Sequence, residues 1–432
     1  MDLSPLVATS LESSVGNSAG IMAPGMLPGK SHGTCGRDSS TSRKKTRHFS
    51  LGCGRSSLGL YATGTSIYSM EMVVDTNMKL YTPGPVHVAP DTLAVMSKHC
   101  DTHRSSWYSD MHEHCENLLQ ELMFTENQIL LGAFTGTGFM EACVTNLLGK
   151  DDTGLFVSVG AFGKRWTSIA RGHGKEFDIL EFEMGKAAKA DKIKEILERK
   201  EYATVFIQFN ETSTGIRNPL EEIAPVVKDS GALLCVDAVS GLGGMKLEVD
   251  ELGIDVCLAS TQKCLAVPPG IALCSISEHA LEKSKTVGNR GYYLDFMVLM
   301  KKAPKHQTPT TIAVPLVRAL EYKLGKIIEE GVEQVFDRHS KMAEMTWKWA
   351  NDAGFEIFPE EGHRSSTVST IANNRNIDVA KFVKVLLDKG YRIVNGYGDL
   401  KGKTFRIGHM GDLQPDDMEE LFGVMDETLV EI

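Results

Sequence analysis

From about residue 79 onward, short apolar runs recur along the chain, at 129–133, 154–159, 204–209, 232–236, 256–259 and 271–276. Each has the length of one strand and is mostly apolar, as expected of strands covered on both faces. Between them lie longer segments with apolar residues at helical spacing, for example 190–200 and 220–230. Strands alternating with helices predict βαβ units around a parallel sheet. A long amphipathic stretch, 312–353, leads into a second pattern. Residues 354–432 predict strand, strand, helix (378–389), strand, short strand (404–408) and a final helix (414–427). The expectation is therefore α/β, with a large domain over 76–335 and a smaller α+β domain over 336–432.

Residues 1–75 have a different texture. They are rich in Ser and Gly, show no sustained period, and carry the basic run Arg43-Lys44-Lys45-Thr46-Arg47. The expectation there is a disordered leader. Its Ser-rich, acid-poor, basic character fits an organellar transit peptide for a plastid or mitochondrion. A plain disordered tail on a cytoplasmic protein is the alternative, as is a true start at Met70, Met72 or Met78.

Charge and cysteine usage narrow the class. The formal net charge is −10, with residues 1–70 holding seven Lys/Arg against three Asp/Glu. The acidic remainder argues against nucleic acid or an anionic membrane as partner. No apolar run reaches the ~18 residues of a membrane helix. Nine cysteines are scattered without a CxxC pair or metal-ligand spacing. Several sit inside apolar runs, so the expectation is reduced core thiols in a soluble intracellular protein with no metal site.

The residues that carry chemistry are concentrated between 232 and 270. One apolar run ends in Asp237, and another leads into Ser260-Thr261-Gln262-Lys263 and a Pro268-Pro269-Gly270 turn. In an open parallel sheet, ligands bind beyond the carboxyl ends of the strands. A lysine and a carboxylate so placed suit a Schiff-base cofactor. The amine forms the imine, while the carboxylate keeps a pyridine nitrogen protonated. A buried ion pair or two solvated loop charges would give the same two residues. The segment Phe134-Thr135-Gly136-Thr137-Gly138 follows the first strand and opens a helix. Close backbone approach at glycine, two hydroxyls and a helix N-terminus make it a candidate phosphate cup.

Further motifs follow in a fixed order: Thr82-Pro83-Gly84-Pro85, His103-Arg104-Ser105, the cup, Asn210-Glu211-Thr212-Ser213-Thr214-Gly215, Val236-Asp237-Ala238-Val239-Ser240, Ser260-Thr261-Gln262-Lys263 and Arg406-Ile407-Gly408-His409-Met410-Gly411. From residue 79 to the end the chain resembles the class V aminotransferases of pyridoxal-phosphate (PLP) fold type I. The resemblance is to the alanine/serine–glyoxylate group and its relatives named as soluble hydrogenase small subunits. It implies a mostly parallel seven-stranded sheet, PLP as cofactor, and small amino acids and 2-oxo acids as substrates.

It also implies roles. Lys263 would bind PLP covalently and carry the substrate proton, and Asp237 would pair with the pyridine nitrogen. Phe162 would stack on the ring, where the family often has Trp, and Thr212 would hydrogen-bond the phenolic oxygen. Val239 would line the cofactor site, and Gly136, Thr137 and Gln262 would hold the phosphate. Thr308 and Thr311 would reach the phosphate from a neighbouring subunit, which implies a homodimer with shared active sites. Arg406 would clamp the substrate α-carboxylate.

Other assignments within and beyond the fold differ in what they need. A cysteine desulfurase has His at the positions of Gln262 and Phe162 and needs a mobile nucleophilic cysteine. Phosphoserine and aminoethylphosphonate aminotransferases are nearer relatives. A non-catalytic partner subunit would need none of Lys263, Asp237 and Arg406. The expected donors are alanine or serine, with glyoxylate or pyruvate as acceptor. Aspartate, the runner-up, needs a second cation, for which Arg104, Lys164, Arg165 and His409 are candidates.

Overall fold

The computed structural model describes residues 78–432; the leader expected over 1–75 lies outside them. Seven strands form the principal sheet: β1 (Gln128–Gly132), β2 (Thr153–Ser158), β3 (Glu176–Glu181), β4 (Thr204–Gln208), β5 (Leu233–Asp237), β6 (Val256–Ser260) and β7 (Ala272–Ile276). Their order is β1-β7-β6-β5-β4-β2-β3. Only β7 runs against its neighbours. The sheet is thus seven-stranded and mostly parallel.

Period-2 alternation sorts its side chains into two cores. Val205 and Ile207 of β4 face the layer of helices Ser106–Met123, Leu220–Ser230 and Val314–Glu330. Phe206 points the other way and stacks on Phe156 at 4.3 Å, under helices Gly136–Leu147 and Ala161–Gly172. Strand β3 was not among the apolar runs of the sequence. It is an edge strand with no buried residue, Glu176, Asp178, Ile179 and Glu181 being open to solvent, so it has little need of apolar residues.

The amphipathic stretch is two helices, Val314–Glu330 and Val332–Asp352, meeting at Gly331. The boundary expected at 335/336 falls in the first turn of the second. Beyond it lies a four-stranded antiparallel sheet of β8 (Glu356–Ile357), β9 (Val368–Ala372), β10 (Val394–Asn395) and β11 (Thr404–Gly408), ordered β8-β9-β11-β10. Helices Val379–Asp388 and Pro415–Glu431 close its core with Phe382, Phe405, Leu421 and Met425.

Two features tie this sheet to the first. The short strand Lys79–Leu80 pairs in parallel with Tyr391–Arg392, and the Gly408 amide donates to the Tyr81 carbonyl at 2.8 Å. A Cβ on Gly408 would come within 2.2 Å of the Thr82 carbonyl oxygen. The segment after β11 is pinned as well. Lys323 pairs with Asp412, and Arg338 donates to the carbonyls of Gly411 (2.9 Å) and Leu413 (2.8 Å). Among the described residues, the seven cysteines are free thiols and no helix is long and apolar enough to cross a membrane.

Candidate active site

The carboxyl ends of the parallel strands open onto a cavity of about 330 Å³. Asp237 is the last residue of β5, and Lys263 lies three residues beyond β6. Both line the cavity with Gly136, Thr137, Phe162, Thr212, Val239 and Gln262. Eight of the eleven residues singled out in the sequence therefore line one cavity, and Arg406 stands beside it.

Lys263 is buried, and its Nζ donates to the Pro83 carbonyl. Burial, with Arg406 adding a like charge, pushes its pKa down to about 8. Gly84 makes this approach possible: its φ is +104°, and a Cβ there would sit 2.4 Å from the lysine Cδ. Asp237 is pushed up to about 7 by burial, against the pull of the Val239 amide, which donates to its Oδ1 at 2.9 Å. Its Oδ2 has no partner within the described chain. A cationic ring nitrogen at that oxygen would hold the carboxylate ionised.

The end of the cavity at Gly136 has its own signature. Helix Gly136–Leu147 begins without a side-chain cap; the Gly138 amide donates to the Thr135 carbonyl at 2.7 Å, which leaves the Gly136 and Thr137 amides at the mouth of the cavity. A Cβ at Gly136 would collide with Val239 Cγ2 at 2.6 Å and close the cup. Ser260 Oγ lines the same cavity, buried and without a hydrogen-bond partner. An orphaned buried hydroxyl beside open helix amides fits an anionic oxygen as its missing partner. The residues present thus fit a pyridine cofactor bearing a phosphate.

Another part of the site is aromatic and cationic. Phe162, in the first turn of helix Ala161–Gly172, stacks with Tyr397 at 5.8 Å and 26°. Thr212 donates its hydroxyl to Ser240 Oγ at 2.8 Å, and its carbonyl accepts from Arg406 Nη1 at 3.1 Å. Arg406, on β11, is 7% exposed and otherwise meets only the Asn395 carbonyl at 3.4 Å and the Tyr397 ring at 5.5 Å. Arg199, Arg217, Arg290 and Arg338 are paired with carboxylates; Arg406 is not. A buried guanidinium lacking an anion is a receptor for one.

Thr308 and Thr311 stand apart from the cavity. Thr308 is buried, and its hydroxyl donates to the Thr310 carbonyl at 2.7 Å. The loop is held by Arg104, which donates to the carbonyls of Thr308 (2.6 Å) and Pro309 (2.9 Å). Residues given no role in the sequence also line the cavity, Pro85, Asn210, Ser240, Ser260 and Tyr397 among them, together with Arg165, one of the candidate second cations. Several belong to motifs already singled out, whereas Tyr397 sits in a loop with no distinguishing pattern.

Similarity to known proteins agrees with this geometry. The family described as Aminotransferase class-V matches residues 93–397. An uncharacterized aminotransferase of Methanocaldococcus jannaschii is 39% identical over 346 residues, covering 79% of this chain and 90% of that protein. The soluble hydrogenase 42 kDa subunit of Anabaena cylindrica is 33% identical, covering 83% and 95%. Among solved structures, alanine–glyoxylate aminotransferase from Nostoc sp. superposes with a TM-score of 0.79 at 28% identity, covering 84% of this chain and 98% of the other. With its sheet, its buried lysine and the family match in agreement, the chain belongs to the class-V aminotransferases, enzymes of PLP fold type I that work with pyridoxal phosphate.

Proposed function

We propose that this enzyme moves the amino group of a small L-amino acid, alanine or serine, onto glyoxylate or pyruvate, using Lys263 as its covalent anchor and proton carrier. The observation that carries the proposal is the buried, unpaired guanidinium of Arg406 beside the cavity that holds Lys263 and Asp237. A planar fork there matches a carboxylate in two hydrogen bonds and fixes the donor's Cα relative to Lys263. PLP, when bound, supplies an electron sink for the charge left at Cα. Asp237 holds the ring nitrogen in its protonated form. Lys263 Nζ, whose pKa burial lowers to about 8, accepts the Cα proton in its free-amine form. Gly136, Thr137, Gln262 and Ser260 hold the phosphate, Phe162 covers the ring, and Val239 and Thr212 complete the cofactor's surroundings.

The same proposal includes a homodimer with shared sites, in which Thr308 and Thr311 serve the phosphate of the other copy. Their distance from this chain's own cavity supports that role, as does the anchoring of their loop by Arg104. Alanine and serine need nothing beyond Arg406, and the name of the Nostoc relative supports alanine with glyoxylate. Aspartate is the alternative donor.

The test is Lys263→Ala. Turnover is expected to fall by at least about a thousandfold, and the visible absorption of the covalently held cofactor to vanish with it. Retained turnover in that variant overturns the proposal.

A further inference from the structure

An aspartate-like donor asks for a second cation, and four side chains were candidates. The structure occupies three of them elsewhere. Arg104 spends its donors on Gln307 Oε1 and the carbonyls of Thr308 and Pro309. Lys164 is exposed and lies 3.4 Å from Glu181. His409 is fully buried, with Nδ1 2.9 Å from the Ser366 carbonyl and Nε2 3.0 Å from Ser369 Oγ. Burial holds it neutral, with its pKa down at about 3.

Arg165 is different. It lines the cavity, half-buried, and pairs with no carboxylate among the described residues. Its guanidinium lies 4.5 Å over the Phe162 ring. Its one hydrogen bond is a long one, from Nη2 to Tyr397 Oη at 3.3 Å. A guanidinium stacked on an aromatic face keeps its N–H edge free and its orientation fixed. The Tyr397 ring that meets Arg165 at its hydroxyl also lies under Arg406, at 5.5 Å. Two unpaired arginines therefore flank one tyrosine within the same site. One anion, the α-carboxylate, accounts for one of them.

We infer that Arg165 is the specificity-determining residue for a second anionic group, a carboxylate or phosphate ending a short donor side chain, while Arg406 holds the α-carboxylate. The inference rests on the transaminase reading and extends its donors from alanine and serine to side chains carrying an anion. Two charge-assisted hydrogen bonds at a partly desolvated site are worth about 10- to 100-fold in kcat/KM.

The holoenzyme is assayed with L-aspartate, O-phospho-L-serine, L-alanine and L-serine, following conversion of the cofactor band, in wild type, Arg165→Gln and Arg165→Lys. At least one anionic donor is expected to be converted by wild type with a kcat/KM no lower than that of alanine. The ratio of the two should fall about 10- to 100-fold in Arg165→Gln and be partly restored in Arg165→Lys. The faster of aspartate and phosphoserine says whether the anion is a carboxylate or a phosphate. Wild type is also tested for inhibition, where the dicarboxylate succinate should compete at least about tenfold better than butyrate. This arm needs no variant and so stands even if Arg165→Gln folds poorly. A ratio unchanged in Arg165→Gln, equal losses for all donors, or equal inhibition by the two acids each overturns the inference. Conversion by alanine alongside those results leaves transamination standing; absence of conversion by every donor overturns transamination itself.

Discussion

Lys263 and Asp237 are moved in opposite senses by one cause. Burial favours the neutral form of each, so the amine comes down to about 8 and the carboxyl goes up to about 7. The lowered amine has a kinetic consequence. Only free amine captures PLP, and below its pKa that fraction falls tenfold per pH unit. Reconstitution of cofactor-free enzyme, followed by stopped-flow absorbance, should therefore accelerate about tenfold per unit up to pH ~8 and then level off. A solvated lysine would keep accelerating past pH ~10, and that outcome would show that the amine is not desolvated. These two residues were legible in the sequence because each ends an apolar run beyond which ligands bind. The pairing of Arg165 with Tyr397 was not, since 232 positions separate them and nothing local marks either as facing the other.

Glu211 shows how an element is aimed. Its carboxylate is fully buried and accepts from the amides of Phe162 (2.9 Å), Gly163 (3.2 Å) and Ser213 (3.0 Å), and from Ser213 Oγ (2.5 Å). It thus closes the N-terminus of helix Ala161–Gly172, which carries both Phe162 and Arg165. Glu211→Ala leaves buried amides unpaired and should cost about 1–3 kcal/mol, read as a lowered urea midpoint. The ring of Phe162 loses its fixed place at the same time, so PLP affinity should fall in parallel. An unchanged midpoint would mean that water takes over the cap. The strand runs of the principal sheet were visible in the sequence because strands buried on both faces must be apolar. Edge strand β3 was invisible for the converse reason, and the break at Gly331 was hidden because amphipathic spacing continues on both sides of it.

For the whole molecule, the placing of Thr308 and Thr311 away from the chain's own cavity turns dimerisation into a catalytic question. A Lys263→Ala chain and a Thr308→Val/Thr311→Val chain are each expected to be poor enzymes. Mixed dimers should recover activity, because one site then joins an intact lysine to intact threonines from the other copy. Assays of the refolded mixture against each parent check this, and no gain on mixing would assign the threonines to structural work inside their own loop. No pattern in one chain announces such sharing; only the family resemblance implies it. The turn Thr82–Pro85 has a different consequence. Its carbonyl at Pro83 receives the Lys263 ammonium, while the adjoining backbone at Tyr81 and Thr82 is packed against Gly408, two residues from Arg406. One short piece of main chain is therefore the ruler between Lys263 and the strand that carries Arg406, and an insertion of a single residue there would shift the two side chains against each other.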